Sequence, residues 1–285
     1  MLAGSEDIKW DKIITAKQEK FSLQLKNVWE YRDLIILFVK RDFVTYYKQT
    51  IFGPLWYLVQ PILSTVMYMV IFGTLAHLGT DSIPQSLFYF SGTMLWTYFS
   101  GNLLAVSSVF QNNKGMFGKV FFPRLVMPIA STISLLIKFA VQFALFLAVY
   151  LYYCIRGMEI DVSWRIVFFP ITVIWLGLLS SGIGMIVSSI TTKYRDLALV
   201  LDFLVSLLMY ATPVVYPLSQ TPANLKIIFY LNPISAPIEL FRYSFFGICS
   251  IPLWASCVSA IVALLICLLG IFMFNKNERT FVDVI

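Results

Sequence analysis

A chain of 285 residues that is 59% hydrophobic and only 13% charged departs from soluble domains, which run at about 45–50% apolar and about 25% charged. The apolar residues fall in blocks separated by short polar stretches, as spans across a bilayer require, leaving no room for a second soluble domain of about 100–200 residues. The net charge of +6 is distributed for a membrane rather than for nucleic acid. His77 is the one histidine, and Cys154, Cys249, Cys257 and Cys267 form no CxxC pair, which argues against zinc or haem and for cysteines as small apolar filler.

Residues 1–33 alternate charged and apolar residues and lack the continuous apolar core of a signal peptide. They are expected to form a cytoplasmic, solvated or surface-lying arm. Residues 34–51 (LIILFVKRDFVTYYKQTI) follow. On a helical wheel Ile36, Val39, Phe43, Tyr46 and Tyr47 share one face, and Arg41, Thr45, Lys48 and Gln49 the opposite one. This pattern predicts an amphipathic helix in the membrane interface, with the stem of Lys40 snorkelling. Gly53-Pro54 breaks it and turns the chain inward.

About 20 mostly apolar helical residues cross the bilayer's hydrocarbon. Six segments qualify, at about 54–78, 87–110, 128–155, 165–190, 198–216 and 252–274. The expected fold class is therefore an all-α integral membrane protein with six transmembrane helices, and a permease domain over 34–275. Sixteen Lys and Arg lie on the side shared by the N-terminus, the loops at 111–127 and 191–197, and the tail at 276–285. Only Arg156, Arg165, Lys226 and Arg242 lie on the other. That bias places both termini in the cytoplasm. Residues 213–247 hold five prolines with apolar pieces too short to cross. They are expected to form an outer re-entrant helix pair, tolerated only where protein or a water-filled cavity satisfies the backbone.

No phosphate-binding loop, HExxH or GxSxG motif is present, so no catalytic residue and no cofactor is assigned to this chain. Asp202 is the one carboxylate clearly inside a span, which speaks weakly for proton coupling. Lys138 falls mid-span and must face the bundle or a cavity; Asp202, at similar depth, is its expected partner. The cytoplasmic loop 111–124 (QNNKGMFGKVFFPR) carries Met116, Phe117, Phe121 and Phe122. Apolar residues in a short loop need a cover, either a partner protein, the favoured reading, or the headgroup region. Tyr68, Trp96, Tyr98, Phe99 and Tyr210 sit where an interfacial belt is not obvious. They could stack on sugar rings in a conduit, or simply pack helices.

Four strings together resemble one family: VKRDFVTYYKQTIFGPLWYLVQPIL (39–63), GKVFFPRLVMP (118–128), KYRDLALVLDF (193–203) and ATPVVYPLSQTPANLKIIFYLNPISAPIELFR (211–242). They look like motifs of type-2 ABC exporter permeases of the polysaccharide branch, most of all O-antigen export permeases of lipopolysaccharide biosynthesis, with capsule and teichoic-acid permeases as relatives. The resemblance runs from about residue 25 to the end. It implies a homodimer in the bacterial inner membrane with two copies of a separate nucleotide-binding ATPase, which binds the ATP and Mg. It further implies an undecaprenyl-diphosphate-linked glycan as substrate. Lys40, Arg41 and Lys48 would meet the lipid diphosphate, or anionic lipid generally. Asp42, Lys114, Phe117, Lys119, Phe121 and Arg124 would couple to the ATPase. Tyr68, Tyr210 and Tyr216 would line the conduit, with Glu239 and Arg242 as an outer gate. Export of small drugs, or a secondary carrier working alone, are the alternatives.

Overall fold

In the computed structural model, residues 25–48, 53–117, 122–157, 164–191 and 196–282 are described, and among them all regular structure is helical. Helices α1 (Leu25–Glu30) and α2 (Arg32–Tyr47) precede α3 (Trp56–Tyr68), which continues as a π-helical stretch over Met69–Leu75. Then come α4 (Gln85–Ser107), the short α5 (Val109–Asn112) and α6 (Lys114–Phe117), and α7 (Val126–Ile155). The second half contains α8 (Phe168–Thr191), α9 (Leu197–Tyr210), α10 (Ala223–Leu231), α11 (Ser235–Phe246) and α12 (Leu253–Val282).

Four helical stretches are long and apolar enough to cross a membrane: Trp56–Leu75, Val126–Ile155, Trp164–Thr191 and Leu253–Lys276. They match four of the expected spans within a few residues. α4, at 23 residues, has the length but carries Ser91, Thr93, Ser100 and Asn102 along it. α9 is shorter than expected. It stops at Tyr210 after 14 residues, because Pro213 cannot continue a helix and residues 211–217 run as an irregular buried turn. The expected arm also contains helix: α1 starts at Leu25, and Val28 is buried. Residues 1–24 lie outside the described residues.

α8 is the hub, packed between α4 and α12, with α7 on the far side of α4. Small residues make this possible. A Cβ at Gly270 would lie 2.5 Å from the Gly182 carbonyl oxygen, and one at Gly182 would lie 2.7 Å from Cys267 Cα. α8 and α12 therefore cross backbone to backbone, as spans do where lipid gives no hydrophobic drive for association. On the α4 side, a Cβ at Gly184 would meet Val106 and the Leu103 carbonyl. A buried polar node ties the three helices: Asn102 donates to Ser180 Oγ at 2.7 Å, and Thr132 of α7 donates to Asn102 Oδ1 at 3.0 Å.

The aromatics build the largest core. Phe139, Phe143, Phe146 and Tyr150, spaced four, three and four along α7, form one stripe. Phe143 stacks on Phe169 of α8 at 4.2 Å between centroids, and Phe146 meets Phe241 and Phe245 of α11 edge-on. Trp96, Tyr98 and Phe99 of α4 belong to the same core and are buried.

Gly182→Val is expected to cost about 1–3 kcal/mol through overpacking, read as a lower midpoint of thermal unfolding in detergent. Gly101→Ala is the control, since a Cβ there meets nothing closer than a Leu135 methyl at 3.6 Å; its midpoint should hold or rise.

Candidate functional site

The chain carries two sites at opposite ends of the bundle. The first joins α2 to the loop after α4. Phe38 of α2 is 2% exposed and packs on Phe122, with ring centroids 6.0 Å apart. Leu34, Ile35 and Val39 pack beside it, while Phe110 stacks on Phe274 of α12 at 4.5 Å. These residues form a second apolar core, separate from the aromatic one. Ile36 and Phe43, expected on the apolar face, point outward with Leu37 and Val44. α2 thus has two apolar stripes, one covered by protein and one left open. The side chains of Tyr46 and Tyr47 lie outside the described residues.

Two of the loop's four apolar residues are taken up within the chain: Phe122 is buried in the second core with Phe38 of α2, and Met116 packs against that core. Arg41 reaches over the seam: its Nη1 lies 3.9 Å from Met116 Sδ and its Cζ 5.0 Å from the Phe38 ring centroid. Arg41 also pairs with Asp42 at 2.9 Å. The other Asp42 oxygen accepts from Ser134 of α7 at 3.3 Å, so Asp42 pins α2 to α7. Lys40 and Lys48 are exposed. Arg124 is buried, 8% exposed, beside Leu125 and Val126 of the second core. Lys114 and Phe117 are in α6, with side chains outside the description, and Lys119 and Phe121 lie outside the described residues altogether.

Pro61 lies inside α3 and cannot donate to the Tyr57 carbonyl four residues back. Gln142 of α7, 1% exposed, does so instead at 3.2 Å. One turn earlier on α7, Lys138 Nζ sits 5.4 Å from the Tyr57 ring centroid, a cation–π distance. Lys138 therefore belongs to the α3–α7 seam, while Asp202 is exposed on α9. Sequence reasoning missed Gln142. A lone glutamine one turn from Lys138 inside an apolar run, with a helix-interior proline elsewhere, was the available signal.

At the other end, Glu239 and Arg242 come together as a buried ion pair. Arg242 Nη1 donates to Glu239 Oε1 at 2.8 Å, and both side chains are 3% exposed. Arg242 Nη2 donates to the Val214 carbonyl at 3.2 Å, and its Cζ lies 3.9 Å from the Phe88 ring centroid. The second Glu239 oxygen accepts the Ser250 amide at 3.1 Å. One pair thus fastens α11, the 211–217 turn, α4 and the loop into α12. Burial presses the guanidinium's pKa down, and the adjacent carboxylate opposes the shift.

Of the expected conduit residues, Tyr68 is half-buried with its hydroxyl 3.6 Å from Met209 Sδ of α9. Tyr210 is 55% exposed, and Tyr216 donates to its carbonyl at 2.7 Å. Trp96, Tyr98 and Phe99 are not brought to them. At 8%, 5% and 0% exposure they pack within the protomer, and a side chain closed in by its neighbours cannot present a stacking face. Among the described residues no cluster of His, Cys, Asp and Glu could hold a metal.

Arg242→Met strands Glu239 without its partner and should cost about 3–5 kcal/mol; the double change with Glu239→Gln should cost clearly less. Thermal unfolding of both single variants and the double variant checks this, and additive losses would mean the two side chains act independently.

Against known proteins, residues 33–246 match the family described as ABC-2 type transporter. The O-antigen export system permease protein RfbA of Klebsiella pneumoniae is 26% identical over 267 residues, covering 93% of this chain and 100% of that protein. Its namesake from Myxococcus xanthus is 26% identical over 226 residues, 78% of this chain and 84% of its own. The polysialic acid transport protein KpsM of Escherichia coli is 23% identical over 205 residues, 71% and 77% respectively. The family match takes in α2, the loop after α4 and the α10–α11 segment alike, and this multi-pass membrane chain belongs to the ABC-2 type transporter family as one of its permeases.

Proposed function

We propose that this chain is the membrane subunit of an ABC exporter that carries a lipid-linked, O-antigen-like polysaccharide across the bacterial inner membrane. The observation that carries the reading is end-to-end similarity to a permease named for O-antigen export, over 93% of this chain and all of that protein. ATP hydrolysis with Mg takes place on a separate ATPase, two copies of which dock on a homodimer of this chain. Six spans, α4 and α9 together with the four more apolar stretches, leave both termini in the cytoplasm. α10 and α11, at nine and twelve residues, are too short to cross and form the re-entrant pair.

The geometry supports a division of labour. The open apolar stripe of α2 lies in the headgroup layer, and exposed Lys40 and Lys48 with Arg41 offer charge-assisted hydrogen bonds to the undecaprenyl diphosphate. The loop through Lys114, Phe117, Lys119, Phe121 and Arg124 receives the ATPase stroke, and the second apolar core passes it to α2. The glycan passes where α3 and α9 present Tyr68 and Tyr210.

Cells lacking both the chain and its ATPase should lose surface glycan and accumulate its lipid-linked form inside. Both defects should be repaired by this chain together with its ATPase and by neither alone. Repair by the chain alone would sink the ATP-driven reading and favour a secondary carrier. Phe117→Asp with Phe121→Asp should abolish co-purification of the ATPase; undiminished recovery would remove the loop from the docking surface.

A further inference from the structure

The loop between the π-helical end of α3 and the start of α4 meets the turn after α9 edge to edge. Ser219 Oγ donates to Asp81 Oδ1 at 2.5 Å, and the Gly79 amide donates to Gln220 Oε1 at 3.2 Å. Gly79 leaves room for this contact: a Cβ there would have to push the Gln220 amide group aside. Each side stands on a buried anchor, Ile83 at 4% exposure and Leu218 at 1%. Three non-glycine residues of the first loop hold left-handed backbone: His77 at φ 52°, Asp81 at 49° and Ser82 at 65°. Such conformations are costly and persist only where surrounding contacts impose them.

We propose that this contact is an outer latch, joining the far ends of α3 and α9 while the path between them is closed and releasing when they part. Its chemistry differs from the bracing beside it. Glu239 and Arg242 are shut away from water, where parting them would strand a buried charge. Ser219 and Gln220 are exposed, and hydrogen bonds that water can replace contribute little each. A contact made and broken in every cycle needs that weakness. The strained backbone of the first loop adds a restoring tendency, because the loop can relax once its partners let go. The helices below are suited to parting: α3 turns Leu63, Val66, Met67 and Val70 outward, and α9 turns Leu199, Phe203 and Leu207 outward. Tyr68 against Met209 is a side-chain contact that joins them directly.

The release step rests on the exporter reading; the latch itself does not, and two measurements separate them. In the purified chain, Asp81→Ala should speed amide hydrogen exchange about fivefold in residues 217–221 as well as 78–84. Asp81→Asn, which keeps an acceptor for Ser219, should restore protection. Unchanged exchange over 217–221 in Asp81→Ala overturns the latch. In cells, Asp81→Cys with Ser219→Cys, in a chain whose four native cysteines are replaced by serine, is joined by a short cleavable thiol cross-linker. Export should stop on cross-linking and return on reduction. Export at the uncross-linked rate after complete cross-linking overturns the release step. Absence of export before cross-linking, with the native chain equally inactive, counts against the exporter reading, and the exchange result then stands alone on the latch.

Discussion

A backbone carbonyl without a donor is costly anywhere in a protein and most costly where no water can reach it. That constraint organises this chain, because proline and irregular turns interrupt its helices repeatedly. The solution recurs: a side chain from a neighbouring helix donates to the freed carbonyl. Gln142 serves Tyr57 opposite Pro61, Tyr150 serves Phe245, Asn232 serves Ala211, and Ser259 serves Pro233. Arg242 serves Val214 while its charge is balanced by Glu239. Gly92 completes that last arrangement. A Cβ there would come within 2.5 Å of the Val214 carbonyl oxygen, so α4 lets the turn lie flat against it. These irregular stretches hold their shape because the donors come from α7, α11, α12 and the end of α10, which cannot move apart without stranding the carbonyls they serve.

How much of this the sequence makes legible follows from the solvent. Blocks of apolar residues mark where helices lie: the boundaries of α7 and α8 and the start of α12 agree with hydropathy alone, while α12 runs on past the apolar block to Val282. Which face turns inward is another matter, since lipid and protein interior are both apolar and leucine suits either. α12 buries Ala263 and Cys267 while Leu264, Leu265 and Leu268 point outward, the reverse of a soluble helix. The inward signal lies in small and polar residues: Gly182 and Gly270 at the crossing, and Asn102 with Ser180 and Thr132 at the node. The aromatics mislead for the same reason. Trp96, Tyr98 and Phe99 look free to line a path because no water-facing pattern claims them, yet ring-on-ring packing uses them in the core. Glu239 and Arg242 are more legible, because two opposite charges three residues apart on an apolar helix have few alternatives to each other.

The end of the bundle beside α2 obeys a different logic. There the second core joins α2, the loop after α4 and the end of α12, while Asp42 bridges from α2 to Ser134 of α7. A push on the loop reaches Phe122, then Phe38, then the whole of α2, through contacts that are tightly packed and therefore stiff. α2 also keeps an apolar stripe open beside exposed Lys40 and Lys48. In the proposed exporter, one helix would thus touch both the surface that takes the ATPase stroke and the layer in which a lipid-borne substrate arrives.

Stiffness is not shared evenly, and the difference bears on which helices can move. α4 and α8 are buried along most of their length, so displacing either would open voids against several neighbours. α3 and α9 bury few residues each, namely Tyr57, Pro61 and Thr65 in one and Val205 and Met209 in the other. α3 is further softened by Pro61 and by its π-helical end, where the regular hydrogen-bond ladder changes register. Its N-terminal end is held at Tyr57, by Gln142 and by the ammonium of Lys138. A helix anchored there, with a proline inside it and few buried residues beyond, would pivot rather than slide. Motion of α3 against α9 would then widen from the anchored end outward, so the outer end would travel farthest.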